Sequence, residues 1–188
     1  MNTEKIEKIR VALAKFFFAC NISFRSVESR QLAEFIELLN PDFLPYIPNR
    51  RNLSNELLDT VYEECIKKDK KQIREYSNML VDGWTHSVTQ TEWNTSLIHN
   101  ADGTSAFVLA EELDIKTAIE TSKSVGDAIN KAKDLYGTEV YCLETDNAAT
   151  MVSMGDNLKH KVWHIRCNAH TANLLVQDII EKDLEGDI

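Results

Sequence analysis

The spacing of the apolar residues changes near Tyr76, and this change constrains the fold more than any other feature of the chain. Before it, apolar positions recur every three or four residues. Ile6, Ile9, Leu13, Phe16, Phe17 and Cys20 make one stripe, and Leu32, Phe35, Ile36, Leu38 and Leu39 make a second. Both are signatures of amphipathic helices, and the run Phe16, Phe17, Phe18 implies burial. All three prolines, Pro41, Pro45 and Pro48, fall in "NPDFLPYIPNRR", which predicts an irregular connector. Ser54 then precedes Leu57, Leu58, Val61, Tyr62, Cys65 and Ile66 at helical spacing, predicting a capped helix that continues to about Tyr76. Residues 1–76 are therefore expected to form a helical N-terminal region.

After Tyr76 three short segments follow, "NMLVDGWTHSVTQ", "EWNTSLIHN" and "GTSAFVLAEEL". They are rich in β-branched and aromatic residues and are joined by "TQTE" and "NADG", so they predict a three-stranded antiparallel meander. Ala118, Ile119, Val125, Ile129, Ala132 and Leu135 return to helical order and stop at Gly137. Val140 to Leu143 reads as a strand buried on both faces. Helix, strand and helix follow in "NAATMVSMGDNL", "KVWHIRC" and "NAHTANLLVQDIIEKDL". A meander whose first strand is flanked on its other side by a parallel strand, arriving through a helical crossover, is the arrangement of the ribonuclease H-like fold. The expected fold class is thus α/β, with part of a ribonuclease H-like mixed sheet over residues 77–188. Trp84, Trp93 and Trp163 are expected to pack in the core of that sheet.

Composition narrows the function classes. The chain of 188 residues is 43% hydrophobic and 27% charged, enough to bury a core. No apolar window is long enough to span a membrane, and "MNTEKIEKIR" carries charge where a signal peptide is apolar, so a nuclear or cytoplasmic protein is expected. Cys20, Cys65, Cys142 and Cys167 are scattered without a CxxC pair and read as reduced thiols, mostly buried. A net charge of −9 argues against this segment alone gripping a phosphate backbone. The basic run Lys67, Lys68, Lys70, Lys71 and Arg74 reads as a solvated helix face or, alternatively, as a nucleic-acid contact.

Asp82 lies inside the first strand of the meander and Asp146 at the carboxyl end of the fourth strand, its neighbour in such a sheet. Two close carboxylates repel, and a divalent cation is their natural partner, because Mg²⁺ takes one or two carboxylates plus substrate phosphate oxygens. A pair of such ions can activate a water or hydroxyl and stabilise the leaving oxygen of a phosphodiester. Other readings stand beside this one: Asp82-Gly83 as a turn, and Asp146 as a helix cap.

"LVDGWTHSVTQTEWNTSLIHN", "LETDNAATMVSMGDNL" and "HIRCNAHTANLLVQDI" resemble, in order, successive blocks of the hAT superfamily of transposases and their domesticated relatives, in the group carrying the transposon-associated domain of unknown function. The upstream "FFFACNISFRSVESRQLAEFIELLNPDFLP" resembles the family's lead-in, with "NISF" where "GIPF" is more usual. The resemblance implies a DDE enzyme that cuts and joins DNA with Mg²⁺ or Mn²⁺. It makes Asp82 and Asp146 the first two catalytic, metal-binding acids. Trp84 belongs to the first block, and Cys167 and His170 form a Cys-x-x-His block near the active centre. Transposon ends are the implied DNA partner, and complete relatives act as oligomers.

The departures carry equal weight. The family's third acid, a glutamate, lies beyond a helical insertion that would follow Ile188, and no zinc-binding finger precedes Asn21. Glu144 can share the face of Asp146, whereas Glu181 and Glu185 lie past the Cys-x-x-His block, at the wrong place for that role. An incomplete catalytic set is therefore expected, with a domesticated, non-catalytic binding or dimerisation module as the alternative. A zinc site would draw on Cys167, His170 and His164, one ligand short of the usual four. Cys167 and His170 also admit a plainer reading, as a buried thiol and a helix-capping imidazole.

Overall fold

The structure is a computed structural model that describes residues 1–115 and 117–185, side chains 178 and 181–185 excepted. The chain divides into two compact units, Met1–Lys68 and Asp69–Ile188.

In the first unit, α1 (Thr3–Ala19) begins where the Asn2 side chain accepts from the Lys5 N–H, and α2 (Arg30–Leu39) where Ser29 accepts from Leu32. Val11, Ala14 and Phe17 of α1 pack against Val27, Leu53, Leu57 and Val61 to form its core. Burial of the phenylalanine run falls on Phe17, while Phe16 is exposed. The proline-rich stretch is more regular than expected. Pro41–Tyr46 is a 3₁₀ helix, started by Pro41 where no N–H is needed.

The anticipated cap at Ser54 is displaced. Asn49 and Asn52 form a capping box that opens α3 (Arg50–Ser54), and α4 (Glu56–Asp69) follows after a break at Asn55. Ser54 instead donates to the Arg51 carbonyl. Helix α4 stops at Asp69, short of Tyr76. Lys67 and Lys71 would stand one turn apart as like charges, and the run offers no apolar stripe to offset them.

In the second unit, β1 (Tyr76–Thr85), β2 (Glu92–His99) and β3 (Ser105–Leu113) form the meander. The chain then crosses through α5 (Ala118–Tyr136) to β4 (Glu139–Thr145), and through α6 (Ala149–Leu158) to β5 (Trp163–Arg166), before α7 (Asn168–Glu185). Gly103 and Gly137 take the positive φ values of 86° and 73° that close the β2–β3 turn and end α5. The strand order is β3-β2-β1-β4-β5, with β4 and β5 parallel to β1. This is the ribonuclease H-like arrangement expected from the pattern.

The sheet has two unlike faces. Met79, Val81, Asn94, Ile98, Leu143 and Thr145 are buried on the side covered by α5 and α6, where Asn94 donates to Ser124 of α5. The alternate residues, including Leu80, Asp82, Trp84 and Glu144, stay half-buried or exposed. Two expectations fail for this reason. Strand β4 is buried on both faces only at Cys142 and Leu143, since Tyr141 is exposed and Glu144 half-buried. The tryptophans are not core residues. Trp84 and Trp93 stack on each other with centroids 6.1 Å apart, and Trp163 is exposed on the edge strand β5. Of the four free thiols only Cys142 is buried, whereas Cys20 and Cys65 are exposed. Among the described residues no helix is long and apolar enough to cross a membrane.

Candidate functional site

The parallel register of β1 and β4 decides where the acids go. Its last rung pairs Leu80 with Glu144, and two residues further along the two chains stand Asp82 and Asp146. Side chains alternate along a strand, so Leu80 and Asp82 share the open face, as do Glu144 and Asp146. The outcome is a cleft of about 260 Å³ lined by Asp82, Glu144, Asp146, Cys167 and His170, with Leu80 and Leu97 beneath. Asp82 is not in a turn, since it forms a β1–β2 rung opposite Thr95. Trp84 is not part of the cleft lining and instead stacks on Trp93.

The loop after β4 is held from several sides. One Asp146 oxygen, Oδ1, accepts the Ala148 N–H at 2.9 Å, while the other has no hydrogen bond among the described residues. The N-cap of α6 is Ala148, without a side-chain capping bond, so Asp146 bends the turn and does not cap the helix itself. The Cys167 N–H donates to the Thr145 carbonyl at 2.7 Å, and Asn147 Nδ2 donates to Thr171 Oγ1 at 2.8 Å. These two bonds anchor the start of α7 to the end of β4 and bring Cys167 and His170 to the acids.

His164 does not join them. Its Nε2 lies 2.9 Å from Thr145 Oγ1, and its ring fills the space where a Cβ on Gly155 of α6 would sit. Burial first, then the Arg166 charge, hold its imidazole below the ordinary value, against the opposing pull of Asp156. The three-residue zinc set is thus split, with His164 committed to Thr145 and α6. Cys142, within β4, has its thiol pushed up by burial and then by Glu144.

Among the described residues no group of three or more His, Cys, Asp and Glu is placed to hold a metal ion. The donors that do line the cleft are mainly carboxylate oxygens, suited to a hard cation such as Mg²⁺ or Mn²⁺ that keeps water or phosphate as its other ligands. Beside each aspartate sits a buried polar atom without a hydrogen bond: Thr95 Oγ1 across from Asp82, and Asn147 Oδ1 next to Asp146. Unsatisfied groups of this kind suit a hydrated ion or a polar ligand close by. The side chains of Glu181 and Glu185 lie outside the described residues.

Two supporting features escaped the sequence reading. The Asn147–Thr171 clamp had only a weak signal, an Asn following the strand-end Asp. The Thr145–His164 bond had none, because it joins residues on different strands.

No family model matches the chain, and no curated protein matches it. Fold and cleft define a class, a ribonuclease H-like α/β unit with carboxylates at the end of two adjacent parallel strands. Among solved structures, one similar to this chain is the catalytic core domain of HTLV-2 integrase in complex with magnesium, in dimeric form. It is 14% identical, covers 58% of this chain and 72% of that chain, and has a TM-score of 0.31. At that TM-score the likeness carries no argument about this chain.

Proposed function

We propose that the chain is the N-terminal part of an hAT-like, transposase-derived protein, whose complete form uses a divalent cation to cleave and join DNA. The observation that carries this reading is the convergence of Asp82 and Asp146, from two adjacent parallel strands, on one open cleft. Asp82 and Asp146 would hold Mg²⁺ or Mn²⁺, with Glu144 beside them. The ion, when bound, would polarise a phosphodiester and activate the attacking oxygen. Thr145, Asn147 and the Cys167 N–H keep Asp146 in place, and His170, in the lining of the same cleft, would contact a phosphate. Trp84 belongs to the same sequence block and lies outside the cleft lining. In this reading residues 1–76 are a helical lead-in and 77–188 the first part of the catalytic domain. The partners are transposon ends and further copies of the chain, in the nucleus or cytoplasm.

The absence of a third metal-holding group among the described residues favours a second reading, a domesticated module that retains the fold for binding or dimerisation without catalysis. Metal binding separates the two. With Mn²⁺ at about ten times its Kd, a site that binds only the folded state adds about 1.4 kcal/mol, or roughly 3–6 °C in melting temperature. That rise is expected for the native chain and lost in Asp82→Asn and Asp146→Asn. Equal rises in all three proteins would refute the metal site.

A further inference from the structure

A second cleft, of about 450 Å³, opens at the opposite, amino ends of the same strands. Tyr76 of β1, Tyr141 of β4 and Trp163 of β5 line it, from three strands that are neighbours in the sheet. These three residues are 58%, 51% and 76% exposed, much more than large aromatic residues that serve a core. Lys159, His160 and Lys161 complete the wall. Neither lysine has an ion-pair partner among the described residues, and the one carboxylate in the lining, Glu139, is held by Lys133. Unpaired cations around bare rings run against the −9 charge of the whole chain.

We propose that this cleft binds single-stranded nucleic acid, with bases stacked on Trp163, Tyr141 and Tyr76 and the backbone phosphates beside Lys159 and Lys161. Aromatic platforms flanked by cations are how proteins hold unpaired strands, because every base has a face to stack and every linkage a negative charge. A duplex hides its base faces and leaves the rings nothing to stack on. A purely acidic peptide would satisfy the lysines and leave the rings unused. The inference does not rest on the metal reading, since neither aspartate takes part.

The test is a fluorescence-anisotropy titration of the whole chain with a fluorescein-labelled oligothymidylate of about 12 nucleotides, within the range such grooves cover. It is run at low salt in EDTA, so loss of the metal site cannot affect the result. Saturable binding is expected, at least about tenfold tighter than to a duplex of equal length. Trp163→Ala should weaken it by about tenfold, from the loss of one stacked base. Lys159→Gln combined with Lys161→Gln should reduce the salt slope by about 1.4, two phosphates' worth on a single strand. Trp163→Phe, which keeps a ring, should recover most of the affinity, and circular dichroism checks that each variant is folded. Undetectable binding, equal affinity for duplex, full affinity in Trp163→Ala, or equal competition by an acidic peptide or anionic vesicles would each overturn the proposal.

Discussion

Toward their carboxyl ends β1 carries Asp82 and β4 and β5 lead into Asp146, Cys167 and His170; at their amino ends the same strands present Tyr76, Tyr141 and Trp163 beside Lys159 and Lys161. One end is lined with carboxylates and the other with cations and rings. The contrast follows from parallel pairing, because parallel strands bring like ends together and open α/β sheets place their chemistry at the carboxyl end. Acids scattered through an acidic chain are thereby gathered at one end, while two lysines and three rings meet at the other. The open face of the sheet runs between the two ends, and the helices cover the other face.

The largest effect expected from a single change is at Leu143, fully buried in β4, a strand that serves both ends. Leu143→Ala should cost about 2–5 kcal/mol in urea unfolding of the sheet unit, and both binding functions should fail over the same urea range. If oligothymidylate binding outlasts the Mn²⁺ effect, the two ends do not share one cooperative sheet.

A smaller effect is expected at the contact between α6 and β5. Gly155→Ala drives a methyl group into the His164 ring and should destabilise by about 1–3 kcal/mol. Made in a His164→Ala background, the same change should stabilise by up to about 1 kcal/mol, because Ala is the better helix former. Urea unfolding of the four proteins gives the cycle. An unchanged sign would show that the ring does not set the spacing between α6 and β5.

The smallest effect concerns pH at the acid end. The His164 imidazole is held below its ordinary value of 6.5, so between the depressed value and 6.5 the unfolded chain binds more protons than the folded one. Stability is then full above the ordinary value and is lost as pH falls from there through the folded one. Stability curves over pH 5–8 should fall on the acid side for the native chain and be flatter for His164→Gln. Parallel curves would mean that His164 is not the group responsible.

Much of this was legible in the sequence. The change of period near Tyr76, the turn signal "NADG" and the stop at Gly137 gave the element order, and those local signals act within a few residues of themselves. Asp82 and Asp146 stood out because they sit at strand positions that the expected topology makes neighbours. The tryptophans do not pack in the core, because bulk on a strand signals packing only when something covers that face, and one sequence does not say which face is covered. Helix α4 ends earlier than its spacing suggests for a related reason, since amphipathic spacing fades gradually while like charges end a helix abruptly. The aromatic and basic cleft left no signal, as Tyr76, Tyr141 and Trp163 are far apart in the chain.

The sequence by itself determined the order and kind of the elements of the second unit, the meander, and the strand-end position of Asp146. Only the tertiary structure decided the parallel register that carries Asp82 and Asp146 to one cleft, the commitment of His164 to Thr145, and the gathering of rings and lysines at the far end. The physical reason is range: periodicity and capping act over one or two turns of chain, whereas register and cleft lining come from contacts between residues tens of positions apart, fixed only when the strands pair.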